Sequence, residues 1–189
     1  MEVSSRALFT QLHGLLFGAF FLLAIFAVVV ELWRTLYEIE PRTLTRAGRS
    51  LEHYYLIATV LLGWAAVLTG AYIVYPWYRA IPPAGAASLA QYPQALLKSS
   101  PATAGWHSLG MEWKEHVAWF APIVMTMVAY VSIQYGFSIR KHPHLRNALL
   151  VFVLVAFFAA GVAGYFGAEI DDHAPVQGGV IYHLLQEAR

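Results

Sequence analysis

Four stretches without a single charged residue, 7–30, 54–78, 117–139 and 147–168, make up half of this chain of 189 residues. They are 24, 25, 23 and 22 residues long. About 20 apolar residues rising about 1.5 Å each cross the roughly 30 Å hydrocarbon layer of a bilayer, so each stretch is long enough to span one. Lipid offers no hydrogen-bond partners, and a spanning backbone that satisfies its own polar groups is a helix. The reading is an all-α integral membrane protein, an antiparallel four-helix up-and-down bundle forming one membrane domain over 1–189. Its helices are expected over about 7–37, 52–79, 109–139 and 146–169, with an external loop 80–108 and an external tail 170–189. The first stretch exceeds the usual signal-peptide apolar core of about 7–15 residues, and no small-residue cleavage site leads into a soluble domain. A retained helix is expected there.

Composition excludes several function classes. Hydrophobic residues make up 59% and charged residues 12%, against about 45–50% and about 25% in soluble domains. A formal charge of +1 gives no basic surplus for nucleic acid. Zero cysteines rule out disulfides, thiolate zinc or iron–sulfur sites and the C-x-x-C-H attachment of a c-type haem. Any metal or haem is left to His, Met or carboxylate. No P-loop, G-x-G-x-x-G or nucleophile–His–Asp arrangement is present.

Charge also separates the two ends. The connections 31–53 and 140–146 hold Arg34, Arg42, Arg46, Arg49, Arg140, Lys141 and Arg146 against four acids. The other end holds five basic residues against Glu2, Glu112, Glu115, Glu169, Asp171, Asp172 and Glu187. Clustered Lys and Arg in short connections mark the cytoplasmic side. Both termini are then outside, which in a Gram-negative bacterium is the periplasmic side of the inner membrane.

Of eight histidines, His13 stands out because it lies inside the first apolar stretch. An ionisable residue at membrane depth is costly and usually faces a partner or a cavity. His116 opens the third stretch, and in an up-and-down bundle helices one and three are diagonal neighbours. A bis-imidazole haem fits such a gap, with one ring nitrogen reaching the iron from each side. The two depths agree if the first helix continues to Tyr37. A porphyrin also needs small residues beside it, and Gly14, Gly18 and Gly164 lie at the same level. The same glycines also serve plain helix–helix packing.

At the opposite end His53 and His144 form a second, weaker candidate pair, so that one haem b is expected and a second has a place. Glu112, Glu115, Glu169, Asp171 and Asp172 gather near His116 and His173, where they serve as solvated charge, as ligands of a non-haem metal or as proton acceptors for a quinol.

Leu12-His13, Gly63, Leu68-Thr69-Gly70, His116 and the run from Gly164 to Glu169 followed by His173 resemble the DUF2231 group of bacterial four-helix membrane proteins. That resemblance implies His13, His116 and His173 as one set on one side of the membrane. The chain differs from the group in its Ile170-Asp171-Asp172 step and its long 79–110 connection.

The expected function is that of a membrane electron-transfer subunit. It holds b-type haem between its helices and passes electrons between the quinone pool and a periplasmic redox partner within a larger respiratory complex. Its partners would be lipid, quinone or quinol and other redox subunits. Two other readings stay open: a cofactor-free structural or assembly subunit, and a non-haem metal protein built on His13, His116 and His173.

Overall fold

In the computed structural model, residues 2–34 and 46–183 are described. Tyr37, Arg42, Glu187 and the expected end of the first helix fall outside them.

The chain starts with strand β1 (Glu2–Ser4) and continues into helix α1 (Ser5–Trp33). Helix α2 (Ser50–Tyr78), the short helix α3 (Pro93–Lys98), helix α4 (Pro101–Tyr135) and helix α5 (Pro143–His173) follow, and strand β2 (Ile181–His183) comes last. α1, α2, α4 and α5 are long and apolar enough to cross a membrane. The signals that bound them are local. Ser4 caps α1 by accepting from the Ala7 amide at 3.2 Å. Gly136, at φ 47°, ends α4 in a conformation that side chains avoid, and Pro143 opens α5 where its missing N–H costs nothing.

α1 and α4 each pack against α2 and α5, which leaves α1 and α4 diagonal to one another. The main core lies between the four helices, where Ile25, Met125, Val128 and Val153 are completely covered. Side-chain hydrogen bonds stitch neighbours together: Trp64 Nε1 donates to Thr126 Oγ1 at 3.1 Å, and Trp113 Nε1 to the Ala159 carbonyl at 3.0 Å. The outward faces are apolar. Leu15, Leu23, Leu61 and Phe158 are each more than 60% exposed, a belt that soluble monomers rarely present.

A second apolar cluster sits at one end, with Leu97 of α3 packed among Tyr78, Met111, Ile170, Ala174 and Val176. The long connection is therefore a folded cap, with Leu97 only 1% exposed. α4 and α5 are both longer than the charge-free stretches, since α4 begins at Pro101 and α5 ends at His173. His173 lies on the last turn of a helix, where the sequence reading had the external tail.

The two strands are an addition to an otherwise helical expectation. β1 and β2 pair antiparallel, with Glu2 opposite His183 and Ser4 opposite Ile181. Gly178 and Gly179, at φ 101° and 84°, turn the chain into this ribbon. A Cβ on Gly179 would also run into the Ser5 hydroxyl. The ribbon ties the start of α1 to the segment that follows α5.

Candidate functional site

The helices depart from regular α geometry at one end. Leu12–Ala19 in α1, Gly70–Val74 in α2, and Trp106–Met111 and Trp113–Val117 in α4 are wound as wider π-helix. π turns are rare and concentrate at functional sites. Two of them have a visible cause. Pro76 follows the widened turn in α2, and Pro122 follows the second one in α4, Trp113–Val117; each proline lacks an N–H and its ring crowds the carbonyl four residues earlier. At Pro122 the chain responds with a three-residue step, the Ala121 amide donating to the Ala118 carbonyl at 3.2 Å.

His13 lies within the π turn of α1 and is half-buried against α2. Its Nδ1 is 3.1 Å from the Thr69 hydroxyl oxygen. When that hydroxyl gives its hydrogen to the Ala65 carbonyl at 2.6 Å, its oxygen accepts from His13 Nδ1–H. The imidazole then has its proton on Nδ1 and a bare electron pair on Nε2, the state a metal-bound histidine has. Gly70 is what lets the ring lie there. A Cβ at position 70 would stand 2.7 Å from His13 Cε1 and 3.2 Å from Nε2.

His116 and His173 share that tautomer. Each donates Nδ1–H to the carbonyl four residues earlier, His116 to Glu112 at 3.0 Å and His173 to Glu169 at 2.8 Å. Both rings point outward, with the His116 side chain 69% exposed, and the His173 ring leans on Trp106 at 5.9 Å between centroids. Among the described residues no hydrogen bond, ion pair or ring contact joins His13 to either of them, and no group of three or more His and acidic residues is gathered in metal-binding reach. The expected His13–His116 pair is thus not closed in this structure.

Lys114 takes the inward place on this turn of α4, its Nζ 2.9 Å from where a Cβ on Gly167 would be. Residues two apart on a helix face opposite ways, so His116 turns out when Lys114 turns in. Lys114 is the residue that sequence reasoning passed over, because it was counted only as one of five charges at the outer end.

The small residues divide into two kinds. Gly14 and Gly161 have open space where a Cβ would go, Gly164 has only Leu22 Cδ1 at 3.9 Å, and Gly18 meets only the His13 carbonyl at 3.5 Å. Gly70 and Gly167, by contrast, are filled by His13 and Lys114. No known protein family, curated protein or solved structure matches the chain.

Further toward the cap, polar side chains pair in two stacks. Tyr75 donates to Glu115 Oε1 at 2.6 Å and accepts from Arg79 at 3.2 Å, while Tyr78 shares a 2.7 Å hydrogen bond with His107 Nδ1. The Tyr75 and Tyr78 rings stack at 6.3 Å, and Tyr78 on His107 at 6.0 Å. The weaker pair at the far end is not assembled by any contact among the described residues. His53 opens α2 half-buried, and His144 is exposed on the rim of an open groove lined by Tyr135, Lys141, His142 and Pro143.

Proposed function

We propose that this protein is an integral membrane four-helix bundle, with its helices running up and down, that carries b-type haem and moves electrons between membrane quinone and a redox partner at its outer face. The observation that carries the reading is His13: an imidazole inside an apolar helix, held by Thr69 and laid against Gly70.

A haem needs an axial donor, room for a flat macrocycle and a counter-charge for its carboxylates. His13 would supply the donor and Lys114 the charge, while the room would have to open between the helices, since Gly14 and Gly164 are exposed on the outer surface. When bound, the haem would supply one-electron chemistry, and the chain's part is to hold the iron, keep the pocket dry and set the potential. Near the cap, Glu115 and His107, hydrogen-bonded to Tyr75 and Tyr78, would take protons from a quinol through those hydroxyls. The bundle would lie in a bacterial inner membrane with both termini outside, supported by the clustered arginines of the opposite connections.

The test is a reduced-minus-oxidised absorption spectrum of the purified protein. A sharp haem b α-band is expected, and its absence from fully loaded preparations would sink the reading. Sidedness has its own test, since the native chain has no cysteine. An impermeant thiol reagent on intact cells should label Ser88→Cys and spare Thr45→Cys; the reverse pattern would invert the topology.

A further inference from the structure

The turn that joins α4 to α5 holds Arg140, Lys141, His142, His144 and Arg146, and from Val117 to Ala168 the chain has no Asp or Glu to balance them. Helix starts favour acidic residues, because the N-terminal end of a helix carries a partial positive charge. α5 does the reverse. No acid stands in its first turn, and His142, in the capping position, makes no side-chain hydrogen bond to the turn that follows. The first amides of a helix have no partner inside it, so cationic side chains and bare N–H groups converge on whatever lies in front of them.

What lies there is a groove of about 510 Å³ between the end of α4 and the start of α5, lined by Tyr135, Lys141, His142, Pro143, His144 and Leu145. That is the size of a small-molecule site. The groove is held in shape from beneath. Gly136 ends α4, the His142 amide donates to the Ile139 carbonyl at 3.0 Å, and Ile139 and Leu149 are buried in the main core. Arg146 stands four residues beyond His142 and so on the same side of α5. One of its terminal nitrogens bonds Asn147 Oδ1 at 3.4 Å, while its Nε is fully covered and has no acceptor. Buried donors left in this state are few in folded proteins.

We propose that this groove takes the headgroup of an anionic phospholipid, with Lys141 and Arg146 paired to the phosphate and the two imidazoles and first amides of α5 as further donors. The site needs the membrane placement proposed above and nothing of the haem. A bilayer presents phosphate at the depth where the groove opens, at the ends of two spanning helices. Tyr130, Val151 and Phe152, on the adjoining stretches of α4 and α5, are exposed and give acyl chains an apolar surface to lie on. Basic pockets between helices on the cytoplasmic side of a membrane hold anionic headgroups, and the clustered positive charge puts this end on that side. A phosphate gives the Arg146 guanidinium the acceptor it lacks, through a turn of the side chain toward His142.

The test uses the full-length protein, stripped of lipid in detergent and reconstituted into vesicles of equal parts phosphatidylcholine and phosphatidylglycerol. It is then extracted gently and weighed with its bound lipid by mass spectrometry. Phosphatidylglycerol should be retained over phosphatidylcholine about twenty-five-fold, a factor of about five for each of Lys141 and Arg146. Lys141→Gln should lower that preference about fivefold, and Lys141→Gln with Arg146→Gln should nearly abolish it, while Lys98→Gln, in the cap, should leave it unchanged. Equal retention of the two lipids by the native chain overturns the site and leaves the membrane placement standing. A preference that Lys98→Gln lowers as much as Lys141→Gln does, or that survives the double substitution, overturns it as well. Displacement of the lipid by inorganic phosphate at the same concentration assigns the groove to a free anion and overturns the lipid. A native chain that does not insert into the vesicles overturns the membrane placement and the site together. Because Lys141 is exposed, its substitution decides the matter even if Arg146→Gln unsettles the fold.

Discussion

The two halves of the helical core are built to different rules. Around Ile25, Met125, Val128 and Val153 the helices are regular, the side chains apolar and completely covered, and nothing polar needs explaining except Thr59, whose hydroxyl bonds its own Tyr55 carbonyl at 2.9 Å. Around His13 and Lys114 three of the four helices are widened, glycines stand where side chains would fit, and polar groups from different helices meet. One half has the dense packing of a core that holds helices together. The other has surrendered regularity, and in a packed protein that surrender is found where something is bound.

The sharpest way to break this contrast is to strike one residue in each half. On the proposed haem reading, His13→Ala should abolish the haem spectrum while the protein still extracts and folds, because the ring is only half-buried and its loss leaves Thr69 free to bond the Ala65 carbonyl as before. Met125→Ala should do the opposite, lowering stability by about 2–5 kcal/mol through the cavity it leaves, with an unchanged α-band. Thermal denaturation followed by the spectrum of each variant checks both. A Met125→Ala variant with altered haem, or a His13→Ala variant with full haem, would show that the halves are not separate.

Glycines sharpen the comparison at smaller scale. Gly70→Ala puts a methyl group 2.7 Å from His13 Cε1, so the imidazole has to leave its seat, at about 1–3 kcal/mol of strain. Haem affinity should fall on the order of tenfold, the effect of disturbing the groups that orient a ligand. Gly161→Ala meets nothing within 4 Å and removes a helix-weakening glycine, worth up to about 1 kcal/mol of added stability. Haem titration and thermal melts read the two effects. Should Gly161→Ala also lose haem, the open space beside that residue is part of the pocket.

How far the chain could be read in advance follows the same division. The regular half was legible because charge-free length is a one-dimensional signal, and it marked four helices where α1, α2, α4 and α5 run, with α4 beginning at Pro101, well before its expected start at 109. His13 was legible for the same reason, as the only histidine well inside an apolar stretch. Its partners were not. Thr69 and Gly70 lie more than fifty positions away, and nothing in a Leu-Thr-Gly step says that its hydroxyl will fix a distant tautomer. Whether Lys114 or His116 faces inward depends on the winding of α4. At regular pitch and at π pitch the same residues take different faces, and only Pro122 hinted that the winding would change. The terminal ribbon escaped because three-residue strands have no periodicity to read, although Gly178-Gly179 before Val180-Ile181-Tyr182 was a turn signal.

The smallest effect is expected at His173, the histidine that the helix-end resemblance grouped with His13. It shares the tautomer of His13 but none of the confinement, being exposed on the last turn of α5 with its Nδ1–H on the Glu169 carbonyl. A glutamine amide can donate to the same carbonyl, so His173→Gln keeps that bond. It gives up the ring contact with Trp106 at 5.9 Å. Contacts between rings at this distance contribute about 0.5–1.5 kcal/mol beyond their buried area, and an exposed one belongs at the low end. The expected outcome is a melting temperature lowered by a few degrees at most, with haem content and α-band unchanged. Loss of haem in this variant would mean that the end of α5 turns inward when the pocket is filled, and the boundary between the two halves would then have to be redrawn to include the cap.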